Sequence, residues 1–336
     1  MQEGVPQACQ QTAANVTAEY RQCQNQPINS GLMRHAKELR VVAMVRMVLS
    51  TQLEYEVFDA GCDFIFNIQA AFTPRQRVVE ESLSFNQTLT ANYYTDAQTQ
   101  SRFIALRAMQ GPLTVCYNAV VDLTHFESAP NDLFEVSPQA LPGYVLPFLY
   151  PSRYCQSDRL LTFAAQHFGN LPMGHSRAQA ICDWVSSHVR FQGNTSNSNT
   201  SAIDTLIERV GVCRDFAHLM IGLCRAVNLP ARMVSGMDYG ADPVLGPPDF
   251  HAYVEVYLAD ASGMGRWFMF DPSGTAIPMG FVRFCTGRDA ADIAFATIFG
   301  SVSAGQPLIS IQAVPDSQGQ LVIPQRVGYA LSTDGA

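Results

Sequence analysis

Charge is what this sequence has least of. Only 15% of its 336 residues are Asp, Glu, Lys or Arg, against a usual ~25%. No segment gathers the Lys/Arg cluster that a phosphate backbone requires. With 21 basic and 29 acidic residues the formal net charge is −8, so no nucleic-acid partner is expected. Long apolar runs are missing too. The stretch from Val41 to Leu49 is short and broken by Arg46, well below the ~20 residues that cross a bilayer, and no membrane segment is expected. The nine cysteines (9, 23, 62, 116, 155, 182, 213, 224 and 285) form no C-x-x-C pair and no even framework of close spacings. That argues against a zinc ribbon and against a disulfide scaffold. Residues 1–32 are polar and Gln/Asn-rich, without the apolar core of a secretory signal. Free thiols in a reducing cytoplasm are the expectation. The Gly-x-Cys at Gly211 is no Gly-rich nucleotide loop, so no cofactor is expected.

Apolar residues, by contrast, make up 47% of the chain, enough for a sizeable core in about two domains. Residues 1–44 read as a disordered or extraneous tail. After it, apolar and polar residues alternate from Gln52 to Val57 and from Asp63 to Ala70, the pattern of half-buried strands. Similar segments follow at Arg77–Ser84, Thr90–Tyr94, Phe103–Met109 and Gly111–Leu123. Residues 45–128 are therefore expected to form a β-rich, sandwich-like domain. Five prolines between 129 and 151 suggest an extended connection. Beyond it, Ser157–Phe168 and Ser176–Val189 carry apolar residues at helical spacing. A second domain over 152–315 and a C-terminal tail over 316–336 complete the expected α+β organisation.

The chemistry-bearing stretch starts at Gly211. Cys213 opens a helix that runs to about Asn228 and is stopped by Pro230. Phe216, Leu219, Met220, Leu223 and Val227 fall in one apolar arc, and Arg214, Asp215, His218 and Arg225 lie opposite. A first-turn cysteine meets the positive end of the helix dipole and unpaired backbone N–H groups, a setting for a nucleophile. Taken alone, it is equally readable as a small buried residue. Two strands follow. Phe250–Leu258 places His251, Tyr253, Glu255 and Tyr257 on one face, and Arg266–Phe270 ends at Asp271-Pro272. Joined by a short connection, they can pair antiparallel and bring Asp271 close to His251. A base beside an acid that orients it is what cysteine catalysis uses.

The segments GVCRDFAHL, DFHAYVEVYL and RWFMFDPSG, in this order, resemble the transglutaminase-like superfamily, a circularly rearranged relative of papain-type enzymes. The N-terminal β domain, with YPSRYCQSDRL at 150–160 and GRDAADIAFATIFG at 287–300, is similar to its bacterial branch of transglutaminase-like cysteine peptidases. The resemblance spans roughly 45–315. It implies Cys213 as nucleophile, His251 as general base and acid, and Asp271 as the orienting acid. It also implies a peptide or protein amide substrate, reached through a thioester. Water as acceptor makes a peptidase or amidase, and an amine makes a transamidase; a peptide-binding protein that keeps the fold without catalysis is the third possibility. The chain shows no D-x-D-x-D-G calcium loop, and hydrolysis is the favoured expectation.

Rival assignments are weaker. His218 lies five residues from Cys213, ~140° around the helix, and is expected to pair with Asp215 or bond backbone. A metal site of His218, His251 and an acid is disfavoured on the same ground. Cys224 is ~16 Å along the axis from Cys213. Asp249, Glu255 and Asp260 are alternative partners for His251, and Tyr253 and Trp184 are core or cleft residues. His35, His125, His167, His175 and His188 show no ligand spacing.

Overall fold

Alternation sets the first strand, β1 (Val45–Val57), whose Met47, Leu49, Leu53 and Tyr55 turn inward. A computed structural model describes residues 44–240 and 250–334, so nearly all of the expected N-terminal tail lies outside the described residues. After β1 come β2 (Cys62–Phe66), β3 (Gln76–Phe85), β4 (Ala91–Thr95), β5 (Arg102–Ala108), β6 (Gly111–Leu123) and β7 (Phe126–Ser128). The second half holds α1 (Ser157–Phe168), α2 (His175–His188), β8 (Arg190–Phe191), α3 (Ala202–Glu208), β9 (Val210–Gly211) and α4 (Cys213–Ala226). Then follow β10 (Ala231–Asp238), β11 (His251–Ala259), β12 (Gly265–Phe270), β13 (Phe281–Gly287) and α5 (Ala290–Ile293). β14 (Ala296–Phe299), β15 (Val302–Ala304), β16 (Leu308–Val314) and β17 (Ala330–Ser332) close the chain. The architecture is α+β, as the sequence led us to expect.

Two antiparallel sheets form the N-terminal sandwich. One runs β15-β1-β6-β3 with β16 also on β1, and the other runs β14-β2-β5-β4. Tyr55 of the first meets Phe64 of the second edge-to-face at 5.2 Å between ring centroids, inside a shared apolar core. The expected boundary at 315 does not follow the strand pairing: β14 pairs with β2, and β15 and β16 pair with β1. The sandwich thus takes its strands from both ends of the described chain, with the helical segment inserted between them. Residues 316–336 are not simply a tail either, because β17 pairs with β7 and is buried.

The Pro-rich passage is folded rather than extended. Short 3₁₀ turns at Pro130–Asp132, Pro138–Ala140 and Leu146–Leu149 each carry proline in their first positions, where its fixed φ suits the turn. Leu141 and Val145 from this passage pack with Tyr257 and Trp267.

A third sheet, β12-β11-β10-β13, places the site. Ala252, Val254, Val256 and Leu258 of β11 pack with α4, whereas Tyr253 joins the core of the sandwich. Alternation thus buries both faces, which is why every residue of β11 is buried. α4 is buried all round, its polar side included: Asp215 and His218 are 0% exposed and Arg225 2%. Arg225 directs its guanidinium to the carbonyls of Tyr150, Ala231 and Arg288 and to Ser152 Oγ, which fixes the helix end.

Asp334 locks the end of the described chain. It accepts from Arg232 at 2.7 Å and Arg283 at 3.1 Å, and the same two guanidiniums share the buried Glu255. Burial works against the ionised Asp334, but Arg232 and Arg283 outweigh it and hold its carboxyl below the usual range. We expect Asp334→Ala to cost about 3 kcal/mol, since it leaves two buried cations to one carboxylate. Calorimetry reads this as a lower Tm; an unchanged Tm would remove the lock. Because the folded pKa is depressed, this stabilisation is present above the unfolded carboxyl value of ~3.9 and is lost as pH falls through the folded one.

Candidate active site

Cys213 is the first residue of α4, and the turn before it is shaped by Asp215. The Asp215 carboxylate accepts from the Val212 N–H at 2.9 Å, and its own N–H donates to the Val212 carbonyl at 2.8 Å, a reciprocal cap on the helix start. Gly211 is required beneath it, because a Cβ there would stand 2.7 Å from the Asp215 Cβ. The Arg214 guanidinium reaches outward to Ser196 Oγ at 2.9 Å and the Asn197 carbonyl at 3.0 Å, tying down the loop before α3. Cys213 is half-buried, whereas the other six described cysteines are buried. Its Sγ lies 4.0 Å from the carbonyl oxygen of Phe250, the residue before His251.

His251 opens β11 opposite Gly236 of β10, and Val254 pairs with Phe270 of β12. That antiparallel register sets Asp271, the residue after β12, beside the imidazole. The His251 Nε2 to Asp271 Oδ1 distance is 3.5 Å, an ion-pair separation in which Nε2 has no closer hydrogen-bond partner among the described residues. Active-site contacts of this kind commonly shorten only when substrate binds. Asp271 is itself fixed: Oδ1 accepts from Ser273 Oγ at 2.6 Å and Oδ2 from the Ala276 N–H at 2.9 Å. Gly274, within this turn, has φ +67°, a left-handed backbone that glycine adopts freely.

The electrostatics follow from burial and contact. His251 is 8% exposed, and its desolvation, the largest influence, disfavours the charged ring. The charge and hydrogen bond of Cys213 and those of Asp271 more than reverse this, holding the imidazolium well above its ordinary value. Burial likewise opposes the ionised Asp271, yet hydrogen bonding and charge from His251, with help from Ser273 and Ala276, keep it below the usual carboxylate range. With Asp271 on Nε2, the tautomer that keeps a proton there leaves Nδ1 as the nitrogen that exchanges protons.

The rivals are placed elsewhere. His218 stacks on Tyr154 at 5.0 Å and its Nε2 accepts from the Ala290 N–H at 3.2 Å; burial pushes its pKa down to about 3. Of the two roles expected for it, the backbone contact is the one formed, since Asp215 is taken up at Val212 and Arg214. Glu255 pairs with Arg232 at 2.6 Å, and Asp260 with Arg266 at 2.6 Å. Asp249 lies outside the described residues. Trp184 stacks on His188 at 3.9 Å and meets Phe163 and His167 of α1. Tyr253 is a core residue whose hydroxyl donates to Asp238 at 2.5 Å. Asp238, 4% exposed at the end of β10, also receives the Gly240 and Ile277 N–H groups. Sequence reasoning missed this acid: its relation to His251 comes only from the β10–β11 register.

Comparison with known proteins places the fold in a family. Residues 162–272 match a model of the transglutaminase-like superfamily, and residues 45–143 match one of the bacterial transglutaminase N-terminal domain. A solved structure from Cytophaga hutchinsonii, described as a "putative cysteine protease", superposes with a TM-score of 0.78 at 35% identity, covering 86% of this chain and 98% of that one. An uncharacterized protein of Mycobacterium leprae is 25% identical over 262 residues, 74% of this chain and 90% of the relative. Another, from Mycobacterium tuberculosis, is 30% identical over 109 residues, 31% of this chain and 35% of its own length. With its core matched, its β domain matched and a relative of known structure aligned almost end to end, the chain belongs to the transglutaminase-like superfamily.

Proposed function

We propose that this protein is a cysteine-dependent hydrolase of peptide or protein amide bonds, working through a thioester on Cys213. The observation that carries the proposal is the meeting of Cys213, His251 and Asp271 from the start of α4, the start of β11 and the turn after β12. His251 takes the thiol proton of Cys213. The Cys213 sulfur attacks the amide carbonyl carbon, forming the C–S bond, and the oxyanion takes the Cys213 backbone N–H, which the first turn of a helix leaves without an intrahelical partner. His251 gives its proton to the leaving nitrogen as the C–N bond breaks. Water then attacks the thioester, passing a proton to His251 and releasing the carboxylic acid and Cys213. Asp271 keeps the ring oriented and stabilises the imidazolium throughout. The seven described cysteines are free thiols, which supports the cytoplasmic placement inferred from the sequence. No helix among the described residues is long and apolar enough to cross a membrane.

A peptide-library digest read by mass spectrometry tests the reaction, with a fluorescent primary amine added as competing acceptor. New carboxyl termini are the expected products; incorporation of the amine without cleavage would make the protein a transamidase. Cys213→Ala should abolish turnover with the fold intact, and more than a few per cent of wild-type kcat would overturn the nucleophile. Iodoacetamide at neutral pH should label Cys213 selectively, because burial pushes the thiols of Cys182 and Cys224 well up and that of Cys155 to about 12. Uniform slow labelling would leave a peptide-binding protein without catalysis.

Asp271→Asn should lower activity ~10²- to 10⁴-fold, mostly in kcat, by favouring the wrong tautomer. Glu255→Gln is the contrasting variant, expected to lower Tm through its arginine pairs. The pH dependence has a definite sign. A raised folded pKa means that the His251 pair stabilises the fold fully below the unfolded imidazole value of ~6.5 and loses this as pH rises through the folded one. Activity should therefore persist above that value, and its alkaline limb should move to lower pH in Asp271→Asn.

A further inference from the structure

His251 has a second buried acid nearby that the reaction scheme does not use. Tyr253 stands two residues after His251 on the same face of β11, and their rings meet edge-to-face, 4.9 Å between centroids at 72°. Tyr253 is 0% exposed, so its ring forms a fixed wall against the imidazole. Its orientation is set at the far end, where the hydroxyl donates to Asp238 Oδ2 at 2.5 Å. The other oxygen, Oδ1, receives the Gly240 N–H at 2.6 Å and the Ile277 N–H at 3.0 Å. Three donors on one buried carboxyl suit the ionised form.

The Ile277 contact links this acid to the other one. Ala276 donates its N–H to Asp271, and the next residue, Ile277, donates its own to Asp238. Adjacent peptide groups thus hold two carboxylates on the same short segment. Burial raises the Asp238 pKa, and the charge of His251 acts against that rise, so the acid and the imidazolium attract each other. Among the described residues, the titratable and charged groups around His251 are Cys213 from α4, Asp271 from the turn after β12, Asp238 from β10 and Tyr253 on its own strand. Arg326, from the C-terminal segment, donates to the Gly274 carbonyl in the Asp271 turn, and its charge acts on Tyr253.

We propose that Asp238 is a positioning residue of this centre, fixing the Tyr253 wall and the Ala276–Ile277 amides around His251 and supplying a second negative charge in support of the imidazolium. It rests on the cysteine–histidine reading above. It goes beyond that reading by adding an acid that touches neither substrate nor nucleophile. An acid that merely closed the end of β10 would be needed for stability alone and would leave the behaviour of His251 unchanged.

The test needs no substrate. Alkylation of Cys213 by iodoacetamide is followed by mass spectrometry from pH 4 to pH 10 in the full chain, beside Tm. Wild type should react at pH 6 and show an upper step as His251 loses its proton. In Asp238→Asn, which keeps the shape and removes the charge, that step should move down by about one pH unit. Tyr253→Phe keeps the ring and the charge but frees the wall, and should slow alkylation at pH 6 about 3-fold with little movement of the step. A lower Tm with an unmoved step in Asp238→Asn would reduce Asp238 to a structural acid and overturn the proposal. If Asp238→Asn does not fold, Tyr253→Phe decides, and an unchanged rate there overturns it. A wild type that alkylates like an ordinary thiol is a separate result: it removes the cysteine–histidine pair, and the role of Asp238 with it.

Discussion

His251 is more than nine-tenths buried, and burial opposes a charged ring; only opposite charge at contact range reverses that. Much of the surrounding structure serves this requirement. The start of α4 brings Cys213 to one side of the imidazole, the turn after β12 brings Asp271 to the other, and the end of β10 adds Asp238 behind Tyr253. Each acid is in turn satisfied by N–H and O–H donors, so the attraction acts between groups already held in place. Such pre-organisation lets charge develop in a reaction without a compensating rearrangement.

The sandwich contributes to the same end from outside the site. Tyr253 packs against Phe281 at 4.5 Å, and both belong to the core shared with β1, β2 and β6. Close approach is required here as well: a Cβ on Gly236, opposite His251, would fall 2.0 Å from the Val282 carbonyl oxygen. The N-terminal β domain is therefore a wall of the β12-β11-β10-β13 sheet as well as a neighbour of it. The wall is continuous with the residues packed around His251.

Strands such as β2 and the second half of β1 are legible because they bury alternate residues, and period-two patterns survive without knowledge of the partner, whereas β3 and β4 are exposed along most of their length. The site was legible for a different reason. Cys213 at a helix start, His251 at a strand start and Asp271 at a strand end carry local signals, and one hairpin suffices to bring the last two together. What stayed hidden depends on distant pairing. Leu308–Val314 alternates visibly, yet nothing local says that its partner is Arg46–Gln52. Asp238 looks like any turn acid until register places it by the imidazole, and the prolines of 129–151 suggested an extended link where they start 3₁₀ turns instead. Asp334 finds two arginines that are far from it in sequence.

The split origin of the sandwich has a consequence for how the chain is made. During synthesis β1 can pair with β6 early, but its other edge must wait for β15 and β16, which leave the ribosome only after the whole helical segment. Until then β1 presents the unpaired N–H and C=O groups of an open edge to other chains. The nascent protein thus passes through a stage in which the N-terminal strands of the sandwich are made and its last strands are not. Closure of that edge by the last strands couples the maturation of the two domains, so that a chain interrupted before β16 is left with an unfinished sandwich exposed to aggregation.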